Sequence, residues 1–140
     1  MNEQQNTALI RKLYDAFSRG DIQTILANLT DDVEWGLEGP AIIPFTGQRK
    51  GPAQVLGFFE ALGGTQKNMK LTTEQFVAQG DQVASLGRFA GTVTATGKSF
   101  DTQVAHFFTI REGKVSRFVD VGDTATLADA YSQRSAASGD

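Results

Sequence analysis

Val104-Ala105-His106-Phe107-Phe108-Thr109-Ile110, then Arg111-Glu112-Gly113, then Lys114-Val115-Ser116-Arg117-Phe118-Val119-Asp120-Val121-Gly122, reads as two antiparallel strands joined by a tight turn. The hydropathy period is two: Val104, His106, Phe108 and Ile110 share one face, and Ala105, Phe107, Thr109 and Arg111 share the other. His106 is the one histidine of the chain, and it stands on an apolar face. Such an imidazole is either a satisfied core group or the wall of a pocket with a titratable partner. The nearest candidate partner is Asp120 in the following strand.

The hairpin register decides whether the two meet. A two-residue turn at Glu112-Gly113 places His106 opposite Val119 and sends Asp120 to the other face, while grouping Val115, Val119 and Val121 with the apolar side. A three-residue loop, Arg111-Glu112-Gly113, places His106 opposite Phe118 and Asp120 opposite Val104, diagonal to His106 at roughly 7–8 Å. The second register is preferred, because the two-residue turn forces Glu112 as well as Gly113 to positive φ. A carboxylate on an apolar wall is desolvated and becomes a stronger base, and a nearby imidazole N–H suits developing negative charge.

Outward from this hairpin the same pattern continues upstream. Strands over 70–79, 82–95 and 98–110, with turns at Gly80-Asp81 and Thr96-Gly97, complete a meander that ends with 114–122. A short helix, Ala125 to Tyr131, follows; Asp123-Thr124 reads as its cap. Residues 132–140 are small and polar enough to fray. Before the meander, Leu9, Leu13 and Phe17 with Ile10 and Tyr14 make one stripe of a helix over Glu3 to Arg19. Gly20 stops it and Asp21 caps a second helix reaching about Leu29. Val33, Trp35 and Leu37 then alternate as a half-buried strand, with Glu34 and Glu38 on its solvated side. A loop spans Gly39 to Lys50, and Pro52 opens a third helix whose Val55, Leu56, Phe58, Phe59 and Leu62 face a core until Gly63-Gly64. Arg88 and Arg117 read as outward strand charges.

The sum is an α+β domain over 1–131, a curved antiparallel sheet wrapped around N-terminal helices. A sheet covered this way closes over a core or encloses an apolar cavity. With 140 residues, 40% hydrophobic and ten of them Phe, a sizeable core is expected. No cysteine is present, which excludes disulfides, thiol nucleophiles and zinc ribbons. A formal charge of −3 lacks the basic footprint of nucleic-acid or anionic-membrane binding. No carboxylates have metal-loop spacing. The polar start and the lack of long apolar runs read as a soluble cytoplasmic protein.

In the order of its elements the chain resembles the nuclear transport factor two-like superfamily, within it the SnoaL-like polyketide cyclase and ketosteroid isomerase-like branch. The resemblance is carried by Leu13-Tyr14-Asp15-Ala16-Phe17 with Gly20-Asp21, by Asp31-Asp32-Val33-Glu34-Trp35, and by Pro44-Phe45-Thr46-Gly47 with Gly51. It continues through His106-Phe107-Phe108 and Gly113-Lys114-Val115 to Asp120-Val121-Gly122-Asp123-Thr124. It implies a cone-shaped fold with a deep apolar cavity and a homodimer formed through the outer sheet face, which bears Phe107. In the SnoaL-like cyclases a pocket Asp on the final strand is the base and a His on the preceding strand assists. Those positions match Asp120 and His106, fourteen residues apart. The isomerases' first-strand base falls at Leu37 and their oxyanion-hole acid at His106; a cyclase glutamine is replaced by Val104.

The implied activity is a cofactor-independent isomerisation or cyclisation of a small apolar carbonyl compound, with Asp120 as base and His106 assisting. Trp35, Phe45, Tyr14, Phe108, Phe118 and Leu37 are the expected substrate-binding residues, and Phe58 and Phe59 are expected in the core. No cofactor, metal, nucleic acid or membrane is implied. The alternative is a non-catalytic small-molecule-binding or protein-interaction domain of the same fold.

Overall fold

A computed structural model of the chain describes residues 2–133. The first helix, α1 (Glu3–Ser18), starts at a capping box in which the Asn2 side chain and Gln5 satisfy each other's backbone N–H groups. Its buried stripe is Leu9, Ile10, Leu13 and Ala16. Gly20, at φ 71°, ends it, and the Asp21 carboxylate accepts from the Thr24 N–H to start α2 (Ile22–Ala27). This second helix stops short of Leu29, because Leu29 already pairs with Val115 as the first residue of β1 (Leu29–Leu37).

The expected loop over 39–50 contains a short strand, β2 (Gly47–Lys50), antiparallel to β1 at the sheet edge. Its four residues are mainly exposed, so no alternation marks it. Helix α3 (Pro52–Gly63) follows, with Pro at its start and Val55, Phe58, Phe59 and Leu62 buried. The meander comprises β3 (Gln66–Gln79), β4 (Gln82–Val93), β5 (Ser99–Arg111) and β6 (Lys114–Gly122), and α4 (Thr124–Tyr131) ends the described fold. Sheet order is β2-β1-β6-β5-β4-β3, with β1 parallel to β6 and every other neighbour antiparallel. The protein is thus an α+β cone: an open six-stranded sheet curved around its helices.

Curvature is concentrated where the ladders break. Register shifts in β3 lie between Lys67 and Lys70 and between Thr73 and Gln75. At Gly87 a Cβ would stand 2.0 Å from the Thr72 carbonyl oxygen, so only glycine lets the two strands approach there. Helix α1 lies on β3 and β4, α3 on β1 and β2, and α4 on β5 and β4. The Tyr131 hydroxyl holds α4 in place through Thr65 Oγ1 at 2.7 Å and Gln66 Nε2 at 2.9 Å. Asp123 caps α4 through the Thr126 N–H at 3.0 Å. The tail expected to fray lies, from residue 134 on, outside the described residues.

The β5–β6 hairpin corrects the expected register. Arg111 opposes Lys114 and the turn is the two-residue Glu112-Gly113, with φ of 53° and 77°. This is the left-handed turn whose twist matches the strands it joins, which outweighs the cost of placing Glu112 there. The ladder then slips by one residue: Ile110 opposes Val115, but Thr109 opposes Arg117. The extra residue is Ser116, whose Oγ donates to the Thr109 carbonyl at 3.2 Å. With this bulge, His106 stands directly opposite Asp120, not diagonal to it, and Val104 opposes Gly122.

Candidate active site

Counting outward from His106, the inner face of the sheet carries one transverse row. Ser85 on β4 opposes His106 on β5, His106 opposes Asp120 on β6, and Asp120 pairs with Leu37 on β1. Side chains directly opposite on adjacent strands share a face. Three polar groups therefore line up across a mainly apolar wall, to which Thr102 of β5 adds a further buried hydroxyl. Above them, α1 brings in Tyr14, whose hydroxyl lies 2.5 Å from Ser85 Oγ and 2.8 Å from His106 Nδ1. On the other side of the imidazole, Nε2 is 3.5 Å from Asp120 Oδ1. That is close enough for attraction and too long for a well-formed hydrogen bond, so the carboxylate is not locked to the ring.

Both groups are shielded, with side-chain exposures of 10% for His106 and 15% for Asp120. Burial pushes the Tyr14 phenol well above its ordinary value; the Ser85 hydrogen bond works against this and the Asp120 charge adds to it. Tyr14 therefore stays a neutral hydrogen-bonding group throughout the physiological range.

His106, Asp120 and Leu37 of this row open into a cavity of about 100 Å³ between helices and sheet. Its lining includes His106, Asp120, Tyr14, Trp35, Leu37, Phe45, Phe108 and Phe118, so the structure brings together the eight residues expected at the site. Phe58 and Phe59, expected in the core, belong to it and also line the cavity. Trp35 stacks on Phe118 with centroids 4.0 Å apart, and Phe118 lies 5.0 Å from the imidazole. Asp123 and Thr124, at the start of α4, reach the same space. An engineered apolar void of about 150 Å³ accepts benzene, so a void of this order suits a small ligand.

Ser85 is the polar member that sequence reasoning missed. It sits in a strand reading Val83-Ala84-Ser85-Leu86, where a small hydroxyl has no motif, and only its pairing with His106 gives it meaning. Arg88, Arg117, Glu34 and Glu38 are all exposed, as expected of outward charges. Among the described residues, no group of three or more His, Cys, Asp and Glu is placed to hold a metal ion. No helix among them is long and apolar enough to cross a membrane.

A cone of this kind, with its helices over an open curved sheet and polar groups on the inner wall of an apolar cavity, defines the NTF2-like class of fold. Within it the chain belongs to the SnoaL-like domain family, whose model matches residues 10–118. An NTF2-like protein of unknown function from Burkholderia pseudomallei superposes with a TM-score of 0.86 at 26% identity, over 94% of this chain and 99% of that one. TerC, co-crystallised with polyporic acid, superposes with a TM-score of 0.82 at 26% identity, over 91% and 98%. A SnoaL-like polyketide cyclase, so described for Jannaschia sp. CCS1, shares the fold with a TM-score of 0.82 at 18% identity, over 95% of each chain. No curated protein matches the chain.

Proposed function

We propose that this protein is a cofactor-independent acid–base catalyst that isomerises or cyclises a small apolar carbonyl compound, with Asp120 as the base and His106 as the oxyanion donor. The observation that carries this reading is the direct opposition of His106 and Asp120 on the cavity wall. Their 3.5 Å separation leaves the carboxylate able to take a C–H proton and the imidazole able to reach the adjacent oxygen.

The hydrogen-bond order follows from the charges. An ionised Asp120 beside Nε2 favours the tautomer with its proton on Nε2, which leaves Nδ1 to accept from Tyr14. Tyr14 then accepts from Ser85, so the chain runs Ser85 O–H to Tyr14, Tyr14 O–H to His106 Nδ1, and His106 Nε2–H toward Asp120. The opposite order turns the Nε2 lone pair toward a carboxylate. Tyr14 and Ser85 thus act as positioning residues that keep a donor pointing into the cavity.

In the reaction, Asp120 removes the proton alpha to the carbonyl and the C–H electron pair moves to the oxygen, which His106 Nε2–H stabilises as an enolate. Return of the proton to a different carbon completes an isomerisation. Attack of the enolate carbon on a second carbonyl, whose oxygen then takes the proton from Asp120, completes an aldol-type cyclisation. The low dielectric of the cavity strengthens each of these interactions. The co-crystallised polyporic acid of TerC supports a small-molecule role for the cavity, and the description of the Jannaschia protein as a cyclase supports the reaction class.

The test is deuterium exchange alpha to the carbonyl over a panel of enolisable ketones, comparing the wild type with Asp120→Asn. Exchange by the wild type alone supports the base. Equal exchange by both proteins, or ligand binding without exchange by either, removes it and leaves a binding domain. The outer sheet face, with Val77 and Val121 each 56% exposed and Phe107 between them, is read as the contact with a second copy of the chain.

A further inference from the structure

Trp35 is 4% exposed and lines the cavity, yet its indole Nε1–H is buried with no hydrogen-bond partner. A buried donor without an acceptor forfeits a bond that it would have in water, so native structures rarely leave one unexplained. The ring's aromatic neighbours are Phe118 at 4.0 Å, Phe59 at 5.6 Å and Phe58 at 5.7 Å, and none carries an acceptor atom. The other unpartnered buried polar atoms among the described residues belong to Asn6, Thr30, Arg49 and Gln66, none of which lines the cavity. Phenylalanine at position 35 would keep the stacking without the orphaned donor.

We infer that the Trp35 indole N–H is a second hydrogen-bond donor to the ligand, so that the cavity selects carbonyl compounds bearing a second oxygen acceptor. This assignment rests on reading the cavity as a carbonyl-compound site. Trp35 on β1 and His106 on β5 flank Phe118 on β6, at 4.0 and 5.0 Å between ring centroids. The indole and imidazole rings therefore flank that ring from two strands, so the second oxygen belongs on a part of the ligand away from the reacting carbonyl. A six-membered ring with oxygens on opposite carbons has this form.

The test compares cyclohexanone with 1,4-cyclohexanedione, binding to the wild type and to Trp35→Phe by calorimetry. The expected result is that the substitution weakens the dione roughly tenfold and cyclohexanone less than about twofold. Equal weakening of both ligands means that Trp35 contributes packing alone and overturns the assignment. Trp35 is the one tryptophan of the chain, so its indole N–H gives a single nitrogen–proton resonance that needs no variant. That resonance is expected to move downfield with the dione; a resonance that stays in place while the dione binds overturns the assignment even if Trp35→Phe does not fold. Binding of neither ketone to the wild type removes the carbonyl-site reading and this inference with it. Binding with the expected Trp35 dependence but without alpha-proton exchange removes only the proposed base.

Discussion

His106 and Asp120 face each other because Ser116 is one residue too many for a regular β5–β6 ladder. From the turn, Arg111 opposes Lys114 and residue sums along the ladder would set His106 against Val119. The bulge at Ser116 shifts everything beyond it by one, which turns Phe118 and Asp120 inward and Val119 and Val121 outward.

Deleting Ser116 is therefore expected to remove the bulge without changing the pairing beyond it. Arg117 then follows Val115 directly, so Thr109 still opposes Arg117 and His106 still opposes Asp120, and alpha-proton exchange stays near the wild-type rate. Ser116→Ala keeps the bulge and loses only the bond to the Thr109 carbonyl, about 1 kcal/mol, with exchange unchanged. A deletion variant whose exchange falls to that of Asp120→Asn contradicts this account of the register.

Tyr14→Phe takes the shared partner from Ser85 Oγ and His106 Nδ1 at once. The expected cost in stability is about 1–3 kcal/mol, measured by urea denaturation, since two buried polar groups lose their partner. Ser85→Ala leaves the Tyr14–His106 bond in place and costs less. The pH dependence separates the two further. Folding raises the Tyr14 value above its unfolded 10.0, so the unfolded state releases this proton first and stability falls as pH rises above that point. Tyr14→Phe flattens this alkaline limb; a limb of unchanged slope argues that the phenol is not buried as described.

These groups differ in how visible they are in the sequence. Helices α1 and α3, the meander and the cavity-facing positions of Trp35, Leu37 and Phe108 follow from local periodicity, which reports faces directly. Pairing does not show in periodicity. The parallel contact of β1 with β6, the short strand Gly47–Lys50 and the bond from Tyr14 to His106, 92 residues away, all depend on tertiary arrangement. The hairpin shows the limit most clearly. Both registers weighed for it assumed an unbroken ladder, and the bulge gives the same-face outcome from the turn that alone predicts the opposite.

Acid stability is expected to depend on three carboxylates outside the core. Hydrogen bonds from Thr24 and Thr126 at two helix starts hold Asp21 and Asp123 below the ordinary carboxylate value, and the bond from Arg111 does the same for Asp32. A lowered folded value gives stability that is complete above the unfolded value and is lost as pH falls through the folded one. The melting temperature is thus level near neutrality and declines below about pH 4. Asp123→Asn keeps a capping side chain, so it melts near the wild type at pH 7 with a shallower acid decline. A decline as steep as that of the wild type assigns the acid sensitivity elsewhere.

The outer face offers a test of association that leaves the cavity alone. Val121 is 56% exposed, and its neighbours on that face include Phe107 and Val119. If two copies meet there, the wild type sediments as a dimer and Val121→Lys, which places a charge in the contact, sediments as a monomer with its fold intact. A monomeric wild type removes the dimer.

Phe118 joins the core to the site, so its truncation reports on both. It is 4% exposed, stacks on Trp35 and lies 5.0 Å from the His106 ring. Phe118→Ala removes the aromatic floor between the two proposed donors and is expected to cost about 3–5 kcal/mol, the usual range for an aromatic deleted from a core. Trp35 emission shifts to the red as water enters the enlarged cavity, and ketone binding weakens along with it. Phe118→Leu keeps most of the volume, so it recovers stability while Trp35 still lacks its stacking partner. If both variants bind ketones as the wild type does, the ligand does not sit between Trp35 and His106, and the cavity is used from another side.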